Sequence, residues 1–202
     1  MTIAQADFVE LLPFSNKIEP WQLAAFITQA RTFDLLPLLG YATLEALDAL
    51  TAPTLLPPPA AGVEAVLGSY YLRQDRVYLA LSATTDPVGE TTAWQYQLTA
   101  TLWSQYVRPY WVQRAFARFV VTHGLNITKA GVTLPKDSAQ NTYERPSAGQ
   151  IATLQASIDN TAETLLSRLT AFLRTEKLSP ENTSCAADTH RHRRPIRGIN
   201  RR

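Results

Sequence analysis

The sequence predicts a mainly α protein. The expected fold is an antiparallel helical bundle with long central and C-terminal helices, a small β-hairpin near residues 127–134 and an extended C-terminal tail. Two observations support this prediction. Apolar residues recur at helical spacing in residues 94–123 and again in residues 147–174. Between these segments, residues 127–134 alternate apolar and polar side chains around a central Ala-Gly pair, as a hairpin does.

The N-terminal quarter is predicted to form helices that are punctuated by proline and glycine. A short helix of residues 2–12 ends before Pro13, and Pro20 suits the first position of an amphipathic helix. Pro37 and Gly40 then interrupt the apolar pattern before it resumes. We expect a helical hairpin with an apolar elbow at this point.

A proline-rich stretch, residues 52–61, is predicted to be a stiff connector between helices or, alternatively, a ligand for another protein module. Residues 62–83 carry enough apolar side chains to predict a further helix, although Gly68 weakens that prediction. Residues 84–92 are predicted to be a loop.

The central segment has a buried and an exposed face. Arg114 and Arg118 lie four residues apart, opposite the apolar stripe. Pro109 predicts either a kink or the start of a second helix. The apolar stripe consists of Val112, Ala115, Phe116 and Phe119.

The same segment is the most aromatic part of the chain. Trp103, Tyr110 and Trp111 are predicted either to lie in the core or to point outward into a subunit interface, where such residues are enriched. The sequence pattern leaves both alternatives open.

Charge is divided unevenly between two predicted regions, a helical domain of residues 1–175 and an extended basic tail of residues 176–202. The whole chain has a formal charge of +2, yet residues 190–202 contain no acid, which leaves 13 basic and 17 acidic groups elsewhere. We expect the tail to contact a protein surface or DNA. Its arginines are Arg191, Arg193, Arg194, Arg197, Arg201 and Arg202.

Several classes of function find no support in the sequence. No apolar run is long enough to span a membrane, and the N-terminus has no signal-peptide pattern. The single cysteine, Cys185, has no partner for a disulfide within the chain. His123 stands alone at a predicted helix end, where a dipole interaction is the ordinary role. We therefore expect no catalytic site, no cofactor and no bound metal.

Four pieces of sequence, in this order, resemble the head–tail connector (adaptor, or head-completion) proteins of tailed bacteriophages, most closely a branch in phages of Bacteroidetes-type bacteria. The resemblance covers residues 20–174. The pieces are Leu35-Leu36-Pro37-Leu38-Leu39-Gly40, Leu102-Trp103-Ser104-Gln105-Tyr106-Val107-Arg108-Pro109-Tyr110, Ile127-Thr128-Lys129-Ala130-Gly131-Val132, and the helix that ends in Leu169-Thr170-Ala171-Phe172-Leu173.

The resemblance implies a structural virion protein that forms a ring of about a dozen copies at the head–tail junction. Such a ring binds the portal protein on one side and a tail or stopper protein on the other, and DNA passes through its lumen. It would assemble in the host cytoplasm. The resemblance also implies that neighbouring subunits touch through the hairpin, with Ile127, Val132 and Leu134 as candidates, while the elbow and the aromatic margin are further candidate patches.

Other functions stay open at this stage. A tail-completion or stopper ring would have much the same sequence features as an adaptor. A nucleic-acid-binding module could use the arginine tail, although the acidic balance of the rest of the chain argues against a DNA-reading body. A small enzyme or an unrelated helical interaction protein are the remaining alternatives.

Overall fold

A computed structural model describes residues 3–12, 20–51, 53–123 and 148–178. The helices in these ranges are α1 (Gln5–Leu11), α2 (Pro20–Ala30), α3 (Leu36–Ala49), α4 (Leu98–Thr101), α5 (Arg108–His123) and α6 (Ala148–Thr175). The strands are β1 (Leu55–Leu56), β2 (Tyr70–Arg73), β3 (Arg76–Ala80) and β4 (Trp94–Tyr96).

The predicted fold class, a helical bundle with only a small hairpin, is wrong, because strands β1 to β4 form a mixed sheet in that order. Strands β1 and β2 are parallel, and the other two pairs are antiparallel. The helix predicted for residues 62–83 is absent, since β2 and β3 form a hairpin there. Its turn, Gln74 and Asp75, has φ angles of 49° and 60°. A two-residue turn of this hand suits the twist of paired strands.

The proline-rich connector also contributes to the sheet. Leu55 and Leu56 form the edge strand β1, with Leu55 opposite Tyr70 and Leu56 opposite Tyr71. Prolines flank this strand on both sides, and because proline lacks a backbone N–H it is tolerated at a sheet edge but not in a central strand. The connector is therefore partly an edge strand.

The central helix begins later than the sequence pattern predicts. Trp94, the predicted first residue, lies in β4, opposite Ala80 of β3. The helix starts at Leu98, after the backbone N–H of Gln97 has donated a hydrogen bond of 2.8 Å to the carbonyl of Val77. The sheet therefore leads directly into the central helix.

Two helical prolines each follow a widened turn. The π-helical segments Arg31–Leu35 and Leu102–Val107 immediately precede α3 and α5. In each case the first residue of the following helix donates its N–H to a carbonyl five residues back, from Leu36 to Arg31 and from Arg108 to Trp103. A wide turn gives room to the ring of the next residue, a proline, which would clash with the carbonyl four residues earlier in an α-helix.

Helices α2, α5 and α6 form the larger core. The rings of Phe26 and Phe119 meet edge to face, with centroids 5.7 Å apart. The side-chain amide of buried Gln113 donates a hydrogen bond of 3.1 Å to the carbonyl of Ile158 on α6. A second, smaller core of Tyr71, Trp94 and their neighbours lies on the sheet. Apolar burial in both cores is the main stabilising term of the fold.

The C-terminal helix predicted for residues 147–174 is confirmed as α6. At the elbow, Gly40 has φ +72° and ψ 167°, so the chain does turn within α3 where the sequence predicts an interruption. The hairpin predicted near residues 127–134 and nearly all of the predicted tail lie outside the described residues. Within the described ranges, no helix is long and apolar enough to cross a membrane.

Candidate interaction surfaces

The elbow exposes two aromatic side chains, Phe33 and Tyr41, which we call the elbow patch. Phe33 precedes Gly40 by seven residues and Tyr41 follows it directly, and 63% and 74% of their surfaces are exposed. Leu35 and Leu39 occupy the buried face of the same segment. The helical interruption thus separates an inward apolar row from two outward aromatic rings. Large exposed rings of this kind are typical of contact surfaces.

A cluster of charges lies beside the elbow patch. The Asp34 carboxylate is 8% exposed and accepts hydrogen bonds from Arg114 at 3.0 Å and from Arg118 at 2.9 Å. The guanidinium of Arg118 also lies 5.5 Å from the ring centroid of Phe33. One carboxylate is shared by two cations, and Asp159 on α6 adds an attraction for Arg114. Two arginines and two acids therefore balance in this cluster, and Arg118 is the cation that contacts the ring of Phe33.

A second exposed apolar surface, the loop patch, lies at one end of the sheet. Gly68 donates its N–H to the carbonyl of Ala80 at 2.9 Å, which brings the loop before β2 against the end of β3. Ala65 is buried beneath this loop and anchors it. The patch consists of Val63, Val66, Leu67 and Leu81, with exposures of 53%, 62%, 63% and 49%.

The two chain segments that carry the loop patch contain acids and no bases. Residues 53–69 and 81–93 contain Glu64, Asp86 and Glu90 and no lysine or arginine. Glu90 is paired with Arg73 of β2 at 2.6 Å. Glu64 lies in the loop itself, between Val63 and Ala65, and is exposed. The patch is therefore an aliphatic surface on segments that carry more acids than bases.

A groove of about 330 Å³ separates the β2–β3 turn from the end of α6. Its floor contains Tyr106, from the widened turn of the central helix, stacked on Phe172 of α6 with centroids 4.3 Å apart. The groove is lined by two arginines and two acids, so its charge is balanced. These are Arg76, Arg168, Asp75 and Glu176.

Burial raises the pKa of two tyrosines in this region, Tyr106 in the groove and Tyr96 on strand β4. Burial is the main cause that raises the pKa of Tyr106, and Asp75 adds to it. Burial likewise raises the pKa of Tyr96, with a further contribution from Glu176. The guanidinium of Arg168 lies 5.8 Å from the Tyr106 ring. Because its pKa is raised, the Tyr106 hydroxyl stays protonated at neutral pH and can donate a hydrogen bond.

The aromatic residues predicted for the core or for an interface are buried within the chain. Trp103, Tyr110 and Trp111 are 5%, 4% and 2% exposed, as expected of core side chains. Trp111 donates its indole N–H to the carbonyl of Ile27 at 2.9 Å. Burial raises the pKa of Tyr110. Trp111 thus connects α2 to the central helix, and the burial of all three rings agrees with the core alternative.

The remaining predicted contact residues cannot be placed. Ile127, Val132 and Leu134 lie outside the described residues, as do all six arginines of the tail. His123 is the last residue of α5. Within the part of the chain that the structure describes, no group of three or more His, Cys, Asp or Glu side chains could hold a metal ion.

The loop patch is not predicted from the sequence, because Val63, Val66 and Leu67 fall in the helix that the apolar pattern predicts for residues 62–83. One signal was available. Val77, Leu79 and Leu81 repeat with a period of two, which is typical of a strand. A strand at residues 77–81 needs a neighbouring strand, and Gly68 before residues 70–73 then favours a loop over a helix at residues 62–68.

The fold and these surfaces define a mixed helical and sheet protein with exposed apolar patches at the elbow and at one end of the sheet. The chain belongs to a family of unknown function, DUF6712, whose profile matches residues 64–190, more than half of its length. The matched region begins within the loop patch and includes strands β2 to β4, the central helix and α6, whereas strand β1 lies before it. No curated protein and no solved structure matches the sequence.

Proposed function

We propose that this protein is a structural component of a phage virion that forms a ring at the head–tail junction. In this role it connects the portal protein to a tail or stopper protein, and DNA passes through the ring. It assembles in the host cytoplasm and is carried in the virion. The sequence resemblance described above supplies the class of protein.

The observation that carries the proposal is the presence of two different apolar patches on one chain. A ring requires a head-to-tail contact in which one surface of a subunit meets a different surface of the next. The elbow patch is aromatic and the loop patch is aliphatic, and they belong to different elements of the fold. Most isolated proteins expose apolar side chains singly, whereas grouped ones mark contact surfaces.

The basic tail fits the same proposal. Its six arginines could lie along the portal, along a neighbouring subunit or at the DNA channel, because guanidinium groups bind both carboxylates and phosphates. Whether the ring acts as an adaptor or as a stopper depends on what binds below it.

The mass of the purified protein in solution tests the proposal. Light scattering and negative-stain imaging would be carried out with the protein alone and with a portal protein from the same source. We expect rings, either free or seated on the portal. A chain that stays monomeric at high concentration and does not bind the portal would contradict the proposal.

A nucleic-acid-binding module is the second candidate, and the charge of the tail favours it. On this hypothesis the affinity for DNA would fall steeply with salt, with a slope of about −0.9 for each phosphate contact. Deletion of residues 190–202 would remove that dependence. Binding to duplex DNA by a persistent monomer, lost on deletion of the tail, would favour this candidate over the ring.

A further inference from the structure

We infer that residues 85–92, between β3 and β4, form a flap over the small core of the sheet, and that Arg73 is the latch that holds this flap closed. The flap opens while the rest of the fold stays intact, and its opening exposes the apolar side chains beneath it. This inference goes beyond the proposed function and does not depend on it.

The flap keeps its own shape through local hydrogen bonds. The N–H of Glu90 donates to the carbonyl of Pro87 at 3.2 Å, which closes a turn. Gly89, the third residue of that turn, has a φ angle of +79°, as several turn types require at this position. The N–H of Asp86 donates to the hydroxyl of Thr84 at 3.0 Å. These bonds do not involve the sheet, so the flap can move as a unit.

A single buried side chain attaches the flap to the sheet. Val88 is 3% exposed and lies in the small core with Tyr71 and Trp94. Every other residue of the flap, all of which the structure describes, is exposed. Opening therefore removes one valine from the core, whereas each long helix of the protein is fixed by several buried side chains.

Arg73 of β2 makes the polar contacts that hold the flap. Its guanidinium donates one hydrogen bond to the carbonyl of Val88 and another, of 2.6 Å, to the carboxylate of Glu90. Both acceptors belong to the same turn, so one planar group holds the residues before and after Gly89. The forked donors of arginine suit such a double contact, which a lysine ammonium cannot reproduce.

The chain is fixed on both sides of the flap, and this places its hinges. The N–H of Ala65 donates to the carbonyl of Thr84 at 2.8 Å. The N–H of Leu81 donates to the carbonyl of Ala93 at 2.8 Å. The flap therefore hinges after Thr84 and before Ala93. Because Ala65 and Val88 share the small core, opening exposes apolar side chains beside the loop patch.

The small core also contains a polar group that favours opening. Among the residues that the structure describes, the buried indole N–H of Trp94 finds no hydrogen-bond acceptor. A buried donor without a partner disfavours the closed state, since water can bind it once the flap is open. Burial of Val88 and the contacts of Arg73 stabilise closure and Trp94 opposes it. Such a balance is expected of a segment that opens locally.

Labelling of a buried thiol measures the opening. In a Cys185→Ser background, Val88→Cys places a thiol beneath the flap. Val112→Cys, in the helical core, is the matched control, because it also replaces a buried valine. With an aromatic disulfide reagent, the thiol at position 88 should react at least about tenfold faster, since local opening is more frequent than global unfolding. Equal rates would overturn the inference, because the flap would then open only when the whole chain unfolds.

Replacement of the latch tests the role of Arg73. Arg73→Met keeps an apolar stem and removes the guanidinium, and should raise the ratio of the two labelling rates about three- to tenfold through the lost hydrogen bonds. The ratio corrects for any change in global stability. Arg76→Met, at an exposed arginine of the same hairpin, should leave the ratio unchanged. An unchanged ratio in Arg73→Met, or an equal rise in both variants, would show that Arg73 is not the latch.

A second measurement leaves Val88 in place. NMR follows the hydrogen exchange of the indole N–H groups, with the signal of Trp94 assigned through Trp94→Phe. Trp111 is the internal control, because its N–H is bonded to the carbonyl of Ile27 in the helical core. Trp94 should exchange faster than Trp111, and Arg73→Met should accelerate Trp94 alone. If Arg73→Met left the exchange of Trp94 unchanged, the inference would be wrong, whether or not the variant at position 88 folds.

Discussion

The backbone N–H of Val77 donates a hydrogen bond of 2.9 Å to the hydroxyl of Thr101, which is fully buried. The same hydroxyl donates to the carbonyl of Gln97 at 2.8 Å. One side chain in the first turn of the central helix thus satisfies a buried donor of the sheet. Together with the hydrogen bond from the Gln97 N–H to the Val77 carbonyl, this contact holds the sheet against the central helix.

Replacement of that hydroxyl should therefore destabilise the protein. Thr101→Val keeps the shape but leaves the Val77 N–H buried without its acceptor, and we expect a loss of about 1–3 kcal/mol in the free energy of unfolding. Thr101→Ser keeps the hydroxyl and should lose less. Urea denaturation of the three proteins measures the difference. Equal stability of the valine variant and the wild type would show that the bond contributes nothing.

Gly89 should resist substitution for two reasons. Its φ angle is +79°, and a Cβ atom there would lie 2.7 Å from the ring of Tyr78. Gly89→Ala should reduce the free energy of unfolding by about 1–3 kcal/mol through strain and overpacking. Gly68 has φ +78° with open space around its Cβ position, so Gly68→Ala is the matched control for backbone strain. If thermal unfolding showed the same loss for both, the ring contact would carry no cost.

Removal of the Asp34 charge, which Arg114 and Arg118 share, should lower the free energy of unfolding strongly. Asp34→Asn leaves two partly buried arginines without their shared carboxylate, which should cost about 3 kcal/mol. Asp48→Asn breaks an exposed pair with Arg31 and should cost at most about 1 kcal/mol. Chemical denaturation of both variants measures this contrast. Similar losses would mean that burial of the Asp34 cluster does not strengthen it.

Ion pairs between Arg108 of the central helix and two acids of α1 connect these helices, and their strength should depend on pH. Arg108 donates to Asp7 at 2.6 Å and to both carboxylate oxygens of Glu10. These hydrogen bonds lower the pKa of Glu10 below its ordinary value. Because the carboxylate form is favoured in the folded state, the stabilisation is present above the ordinary pKa and disappears as the pH falls through the lowered one.

The corresponding experiment compares the wild type with Glu10→Gln. At neutral pH the variant should be less stable by about 0.2–1 kcal/mol, since the pair is largely exposed. The difference should shrink below about pH 4. High salt at neutral pH provides the control, because screening should reduce the difference in the same way. A difference that did not change with pH would rule out the ion pair as its cause.

Sequence patterns predicted most of the long helices correctly. Residues 147–174 and the apolar stripe after Pro109 repeat at helical spacing, and α6 and α5 are found there. The paired arginines opposite that stripe were also identified, although their partner, Asp34, lies about 80 residues earlier in the chain. A pattern of local spacing can identify a helical face but not the residue that will meet it.

The sheet shows where such reasoning fails. Tyr70, Tyr71 and Leu72 are apolar enough to suit a helix, and the turn at Gln74 and Asp75 lacks the glycine that usually indicates a hairpin. A strand is stable only when it is paired, and the partners here include β4, beyond a loop of more than ten residues. Pairing across that distance leaves little trace in local composition.

What the sequence determined by itself was therefore local: helix periodicity, the interruptions at Pro37, Gly40 and Pro109, and the division of charge between body and tail. Tertiary structure alone decided which apolar residues were left exposed. Trp103 and Trp111 are buried because they pack on each other in the helical core beside α2, whereas Val66 and Leu67 are exposed because β2 and β3 replace the expected helix. Exposure depends on the elements that pack around a residue, and these come from distant parts of the chain.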